Sequence, residues 1–186
     1  MPVIQVHYPQ GSLDRDTKAR LSATLTEAML TMEGGARTEG GVAFASVLFS
    51  EIPDGDWWTG GRTDDRHVHP PGRFLARVSI PEGYMSQLHK TEVHAAVHEA
   101  ILACIDGPPN PQRGASVQVI IDEITEGNWG AGGRTISLSS IADTVGQPRG
   151  GERFQWVRAY FAAKARQFAA AGYPPDTGGL MRDLTP

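Results

Sequence analysis

The second residue of this chain is a proline, directly after the initiator methionine. Once Met1 is removed, Pro2 would carry a secondary amine at the chain terminus. A terminal amine titrates near pH 7.7–8.0, close to the range where a general base works best. Burial or a neighbouring cation disfavours the ammonium form and lowers that value further. The pyrrolidine ring also fixes the backbone, so the nitrogen would be held in place at the head of a strand. Pro2 is therefore the candidate catalytic residue, acting as a general base. Arg62 and Arg134 each follow a Gly-Gly pair and offer a guanidinium fork for a carboxylate. Trp57, Trp58 and Trp129 stand a few residues before those arginines and could wall an apolar pocket. His67 and His69 have metal-ligand types, but no third ligand accompanies them, so no metal is expected. The Gly-Gly pairs read as hairpin turns rather than phosphate loops, and no cofactor is implied.

The elements that must position these residues occur twice. Shifting the chain by 72 positions places Gly11 on Gly83, Lys18 on Lys90, and Glu27-Ala28 on Glu99-Ala100. The same register places Glu51-Ile52 on Glu123-Ile124, Gly55 on Gly127, and Trp57 on Trp129. It then places Gly60-Gly61-Arg62 on Gly132-Gly133-Arg134. One ungapped register through so many Gly and Trp positions marks an internal duplication. The counterpart of Pro2 is Phe74, which can never be a terminus, so each chain has a single candidate base.

Each copy reads as strand, helix, strand and short hairpin. Residues 3–8 are rich in β-branched and aromatic types and stop at Pro9-Gln10-Gly11. Asp14 and Ser86 are matching helix N-caps. Leu21, Leu25, Ala28, Met29 and Met32 recur at helical spacing, answered by Val93, Val97, Ala100, Ile101 and Cys104. Gly34-Gly35 and Gly107 supply stop signals. Second strands are expected near 43–50 and 116–122. A helical connection favours parallel pairing with a right-handed crossover. The expected fold is α+β: two β-α-β units forming a four-stranded mixed sheet with both helices on one face, plus a C-terminal helix.

Residues 1–61 form the first unit, 62–73 a linker and 74–145 the second unit. Residues 146–186 form a C-terminal helix and tail, marked by Phe154, Val157, Phe161, Ala165 and Phe168. This last piece has no counterpart in the repeat and is expected to cap the core or a subunit interface. A two-layer fold leaves one sheet face uncovered, and copies of the same chain are the simplest cover. A homo-oligomer is expected.

Composition narrows the partners. A formal net charge of -4 gives no electrostatic footprint for nucleic acid. No apolar run approaches the roughly 20 residues needed to span a membrane. The first residues lack a secretory pattern, Cys104 is the single cysteine, and the chain reads as cytoplasmic.

The start PVIQVHYPQG and the segment VIIDEITEGNWGAGG at 119–133 resemble the 4-oxalocrotonate tautomerase group of the tautomerase superfamily. The counterpart VLFSEIPDGDWWTGG occupies 47–61, and the resemblance covers roughly residues 2–145. It implies an amino-terminal proline base and enol–keto tautomerisation of a 2-oxo carboxylic acid. It also implies, for a double-length member, a trimer. Related architectures dehalogenate or hydrate unsaturated acids, which is the alternative activity, with Glu123 as the carboxylate that would activate water. A non-catalytic oligomeric binding protein is the third reading. The resemblance places arginines where this chain has Ser12 and Tyr84, and again where it has Ser46 and Gln118. The family's hairpin aromatic is retained as Trp57 and Trp129. The expected substrate contacts are thus Arg62, Arg134, Trp57, Trp129 and the neutral Gln118. A small acid with one carboxylate suits this set better than a diacid.

Overall fold

The structure is a computed structural model, and it describes residues 2–32, 38–105, 107 and 109–181. Gly34-Gly35, read as a helix stop, lies outside the described residues. Strand β1 (Val3–Pro9) leads to helix α1 (Arg15–Met32), a short helix α2 (Glu39–Phe44) and strand β2 (Ser46–Ile52). Strand β3 (Phe74–Pro81), helix α3 (Gln87–Cys104) and strand β4 (Val117–Ile124) repeat the pattern. A hairpin of β5 (Gly130–Ala131) and β6 (Arg134–Thr135) follows, then α4 (Leu138–Thr144) and α5 (Glu152–Ala170).

The four-stranded sheet has the order β2-β1-β3-β4. Strands β1 and β2 are parallel, as are β3 and β4, and the two units meet where β1 runs antiparallel to β3. Side chains alternate across each strand. Ile4, Val6 and Tyr8 on β1, with Phe74, Ala76, Val78 and Ile80 on β3, are buried beneath the helices. Leu21, Leu25 and Met29 of α1 join them, as do Val93, Val97 and Ile101 of α3. The helical stripes are those the spacing predicts.

The two units agree in detail at the offset of 72. Lys18 bonds Glu51 at 2.9 Å and Lys90 bonds Glu123 at 2.7 Å, each pair tying a helix to its following strand. Asp14 accepts from the Thr17 N–H at 2.8 Å, and Ser86 caps α3 by accepting from the His89 N–H. Gly60-Gly61 and Gly132-Gly133 all have positive φ, the conformation that closes a two-residue hairpin turn. Thr59–Arg62 pair across one turn and Ala131–Arg134 across the other.

One strand boundary differs from the sequence pattern. Residues 43–44, expected in the second strand, belong to α2, whose start is capped by the Thr38 hydroxyl bonded to the Gly41 N–H at 3.0 Å. This helix packs against α4 so closely that a Cβ on Gly40 would lie 2.4 Å from the Thr144 carbonyl oxygen. Gly40 makes that contact possible, and no local periodicity announces it.

The far sheet face carries Gln5, His7, Leu48, Arg77, Ile120 and Asp122, by the alternation of the registers. It is more mixed than the apolar strands imply, with Arg77 paired twice to Asp122 at 3.0 Å. Leu48 and Ile120 remain 47% and 43% exposed, so α5 does not cover them. Helix α5 instead seats Phe154, Val157 and Phe161 in the core at one end of the sheet.

Candidate active site at the Pro2 end of the sheet

Pro2 is buried and immediately precedes β1, and its carbonyl accepts a bond of 3.2 Å from the Ser46 N–H. Val3 pairs with Ser79 on β3, so Pro2 lies beyond that pair, at the level of Ile80. Three elements meet there: the start of β2, the end of β3, and the turn of residues 82–85 that leads into α3. Burial of this kind disfavours an ammonium at a free Pro2. The sheet would thus hold such an amine at the head of a strand and in a partly dry place.

The C-terminal addition packs on the same end. The Lys164 ammonium donates to both oxygens of Glu82 at 2.6 and 2.8 Å, and the Tyr160 hydroxyl donates to Glu82 at 2.7 Å. Burial alone would raise the Glu82 carboxyl, but these three bonds, with the Lys164 charge, help to outweigh it and hold the group below its ordinary value of 4.5. Burial, followed by the adjacent Glu82 carboxylate, pushes the Tyr160 hydroxyl well up. The Tyr160 ring also rests on Gly83, where φ is +71° and a Cβ would fall 2.4 Å from the ring. Only glycine fits there without displacing the helix.

Beside that contact, the Tyr84 ring is 3% exposed and its hydroxyl donates to Gln147 Oε1 at 3.3 Å. The Arg153 guanidinium lies over the Tyr84 ring, 5.4 Å from its centroid. Its Nη1 is buried and has no hydrogen-bond partner among the described residues. Tyr84, Gln147 and Arg153 were not among the expected contacts. Sequence offers one signal for them: Arg153, Tyr160 and Lys164 fall at i, i+7 and i+11, a polar stripe beside the apolar one on α5.

The expected contacts divide between the two ends of the sheet. Hairpin β5–β6 leaves β4 beyond Ile124, which pairs with Pro81, so Trp129 and Arg134 share the Pro2 end. They line a hollow of about 510 Å³ on the hairpin, with Trp129 half-buried and Arg134 exposed. Trp57 and Arg62 lie past Ile52, which pairs with Pro9 at the opposite end. Arg62 is held there by Asp64, through Nε at 2.8 Å and through Nη2. Arg73 locks the same loop, bonding Asp65 at 2.8 Å and the Thr63 carbonyl at 3.0 Å. Gln118 pairs with Leu75, also at the far end and on the open sheet face. Within one chain, then, Trp129 and Arg134 are grouped with Pro2, whereas Trp57, Arg62 and Gln118 are not.

The second-copy counterpart of the Pro2 position is closed. Phe74 is 1% exposed and its ring stacks with Tyr8 at 6.3 Å between centroids. Glu123, the carboxylate considered for water activation, is bonded by Lys90 and accepts from the Gly83 N–H at 3.2 Å. No group of three His, Cys, Asp or Glu side chains among the described residues is placed to hold a metal ion. No described helix is long and apolar enough to cross a membrane.

Residues 75–138 match the family described as tautomerase enzyme. A native fused 4-OT is 26% identical to this chain, covers 72% of it and 94% of its own length, and superposes with a TM-score of 0.58. A wild-type fused 4-OT solved as an asymmetric trimer is 25% identical, with coverage of 72% and 94% and a TM-score of 0.57. A member of the cis-3-chloroacrylic acid dehalogenase family is 18% identical and shares the fold over 91% of this chain and 99% of its own, with a TM-score of 0.57. No curated protein matches the chain.

Proposed function

This chain is a tautomerase-superfamily protein resembling the fused 4-OTs, and on that premise we propose that it is an enol–keto tautomerase with Pro2 as its base. The observation that carries this is the placement of Pro2: buried, tied to β2 through its carbonyl, and at the sheet end where Trp129, Arg134 and the C-terminal helices gather. With Met1 removed, the Pro2 nitrogen takes the hydroxyl proton of an enol acid as C2–O becomes a carbonyl. The electron pair of the C2–C3 double bond then accepts that proton at C3. Atoms and charges balance within the substrate, and no metal or cofactor is needed.

The substrate we infer is a small acid with one carboxylate and an apolar body, such as an aryl enolpyruvate. Tyr84 and Ser46 stand near Pro2 where the resemblance expects arginines, and neither supplies a charge-assisted bond to a second carboxylate. Trp57, Arg62 and Gln118 would reach a Pro2 site from a neighbouring subunit. A trimer of the kind formed by the fused 4-OTs would supply that neighbour and cover Leu48 and Ile120. Hydration or dehalogenation needs a carboxylate free to activate water, whereas Glu82 and Glu123 at this end are both held by lysines.

The test is ultraviolet absorbance of an aryl enolpyruvate and a linear 2-hydroxydienoic diacid with the wild-type protein and with Pro2→Ala. Faster ketonisation of the aryl acid, much reduced in Pro2→Ala, is expected. Equal rates in the two proteins would end the assignment of Pro2, and preference for the diacid would end the assignment of substrate.

A further inference from the structure

We propose that Arg153, on the C-terminal helix α5, is the anchor for the substrate carboxylate, replacing in space a cation that the β-α-β repeat no longer provides; this rests on the tautomerase reading above. The resemblance expects such a cation in the turn after a first strand, and the sheet registers show which such turn is at the Pro2 end. Of the two turns that follow a first strand, Gly11-Ser12 lies beyond Pro9, at the end away from Pro2. Gly83-Tyr84 lies beyond Pro81, at the Pro2 end. Tyr84 brings no charge of its own, but the Arg153 guanidinium lies over its ring.

The state of that guanidinium argues for a missing anion. A buried donor left without a partner costs about 1–3 kcal/mol, more when charged. Arg153 Nη1 is such a donor. Two acids near α5 are already held. Glu82 is held by Lys164 and Tyr160. Asp143 accepts from Arg149 at 2.8 Å. A guanidinium stacked on an aromatic face keeps its in-plane donors available, and those donors match a carboxylate in bidentate fashion.

Rigidity completes the case. Helix α5 is pinned by Glu82 at Lys164 and Tyr160 and by the fit of Tyr160 on Gly83, so Arg153 is held rather than free to search. The addition after the repeat is therefore a specificity element. It brings the Arg153 charge, besides the Lys164 charge already held by Glu82, to the sheet end that carries Pro2. Arg134, exposed on its hairpin, remains at the rim.

Calorimetric binding of 3-phenylpropionate and of its neutral amide tests this without turnover, using the wild-type protein, Arg153→Gln and Arg153→Lys. The acid should bind wild type well above the amide, and Arg153→Gln should weaken the acid roughly 10- to 150-fold, the range of a hydrogen bond to a charged group. The amide should be unaffected, and Arg153→Lys should recover part of the loss. A crystal structure of the wild-type complex, which needs no variant, should place the carboxylate on Arg153 Nη1. A carboxylate found elsewhere, or equal loss for acid and amide, would overturn the assignment. So would equal affinity of wild type for the two ligands. Binding of this pattern in a protein that ketonises no enol acid would leave Arg153 in place and remove the tautomerase reading instead.

Discussion

A terminal amine becomes a base at neutral pH when its surroundings penalise the charge on its conjugate acid. Pro2 is buried at the start of a strand, and burial pushes a free amine there in that direction. Nitrogen-15 titration should therefore place Pro2 below the ordinary 7.7–8.0 of a terminus. A value at or above that range would count against its role as base. The arginines divide by exposure. Arg153 Nη1 is buried, whereas Arg134 is exposed on its hairpin. Exposed ion contacts contribute about 0.2–1 kcal/mol, less than buried ones. Arg134→Ala should thus raise KM only a fewfold, and a larger effect than Arg153→Gln would reverse this ranking. At this scale the sequence made Pro2 visible through its position after Met1, together with the repeat and its hairpins. Arg153 was hidden because its meaning depends on which turn α5 covers, a tertiary fact with no local pattern.

The docking of α5 is the element that turns a repeated scaffold into an asymmetric one. Its contact with Glu82 is charge-dependent, and the sign follows from the lowered carboxyl. A group with a depressed folded value contributes stability above its unfolded value and loses it as pH falls through the folded one. Acidification below 4.5 should therefore loosen α5. Trp156 on that helix is 47% exposed and should report it by fluorescence. An unchanged signal down to the pH of global unfolding would contradict this. Gly83→Ala attacks the same contact sterically, through positive φ and the Tyr160 ring. It should destabilise the protein by about 1–3 kcal/mol in urea titration. The main helices were legible because their buried positions recur every three or four residues. Helix α2 was not, since it is short and depends on Gly40 fitting against Thr144.

At the scale of the molecule, duplication gives two similar ends and the sequence makes them unequal. One end has Pro2, a half-buried tryptophan and the C-terminal helices; the other has Phe74 packed against Tyr8 and Arg62 tied to Asp64. Under the proposed function, each chain accordingly has one site. The open sheet face, with Leu48 and Ile120 exposed, calls for a partner, and light scattering should give three times the 20.0 kDa chain mass. Ile120→Lys should reduce that mass by placing a charge in the buried contact. A stable monomer in the unaltered protein would remove the route by which Trp57, Arg62 and Gln118 reach a site.

The central claim, that a free Pro2 amine moves the proton, is open to a comparison that changes no side chain. The protein is prepared in two forms, one beginning at Pro2 and one retaining Met1, which converts the Pro2 nitrogen into an amide without useful basicity. Ketonisation of an aryl enolpyruvate is then followed for both at matched oligomeric mass. General base catalysis is typically worth about 10²–10⁴ in rate, so the form beginning at Pro2 should be at least about 100-fold faster. Equal rates in the two forms would show that the Pro2 amine is not the base.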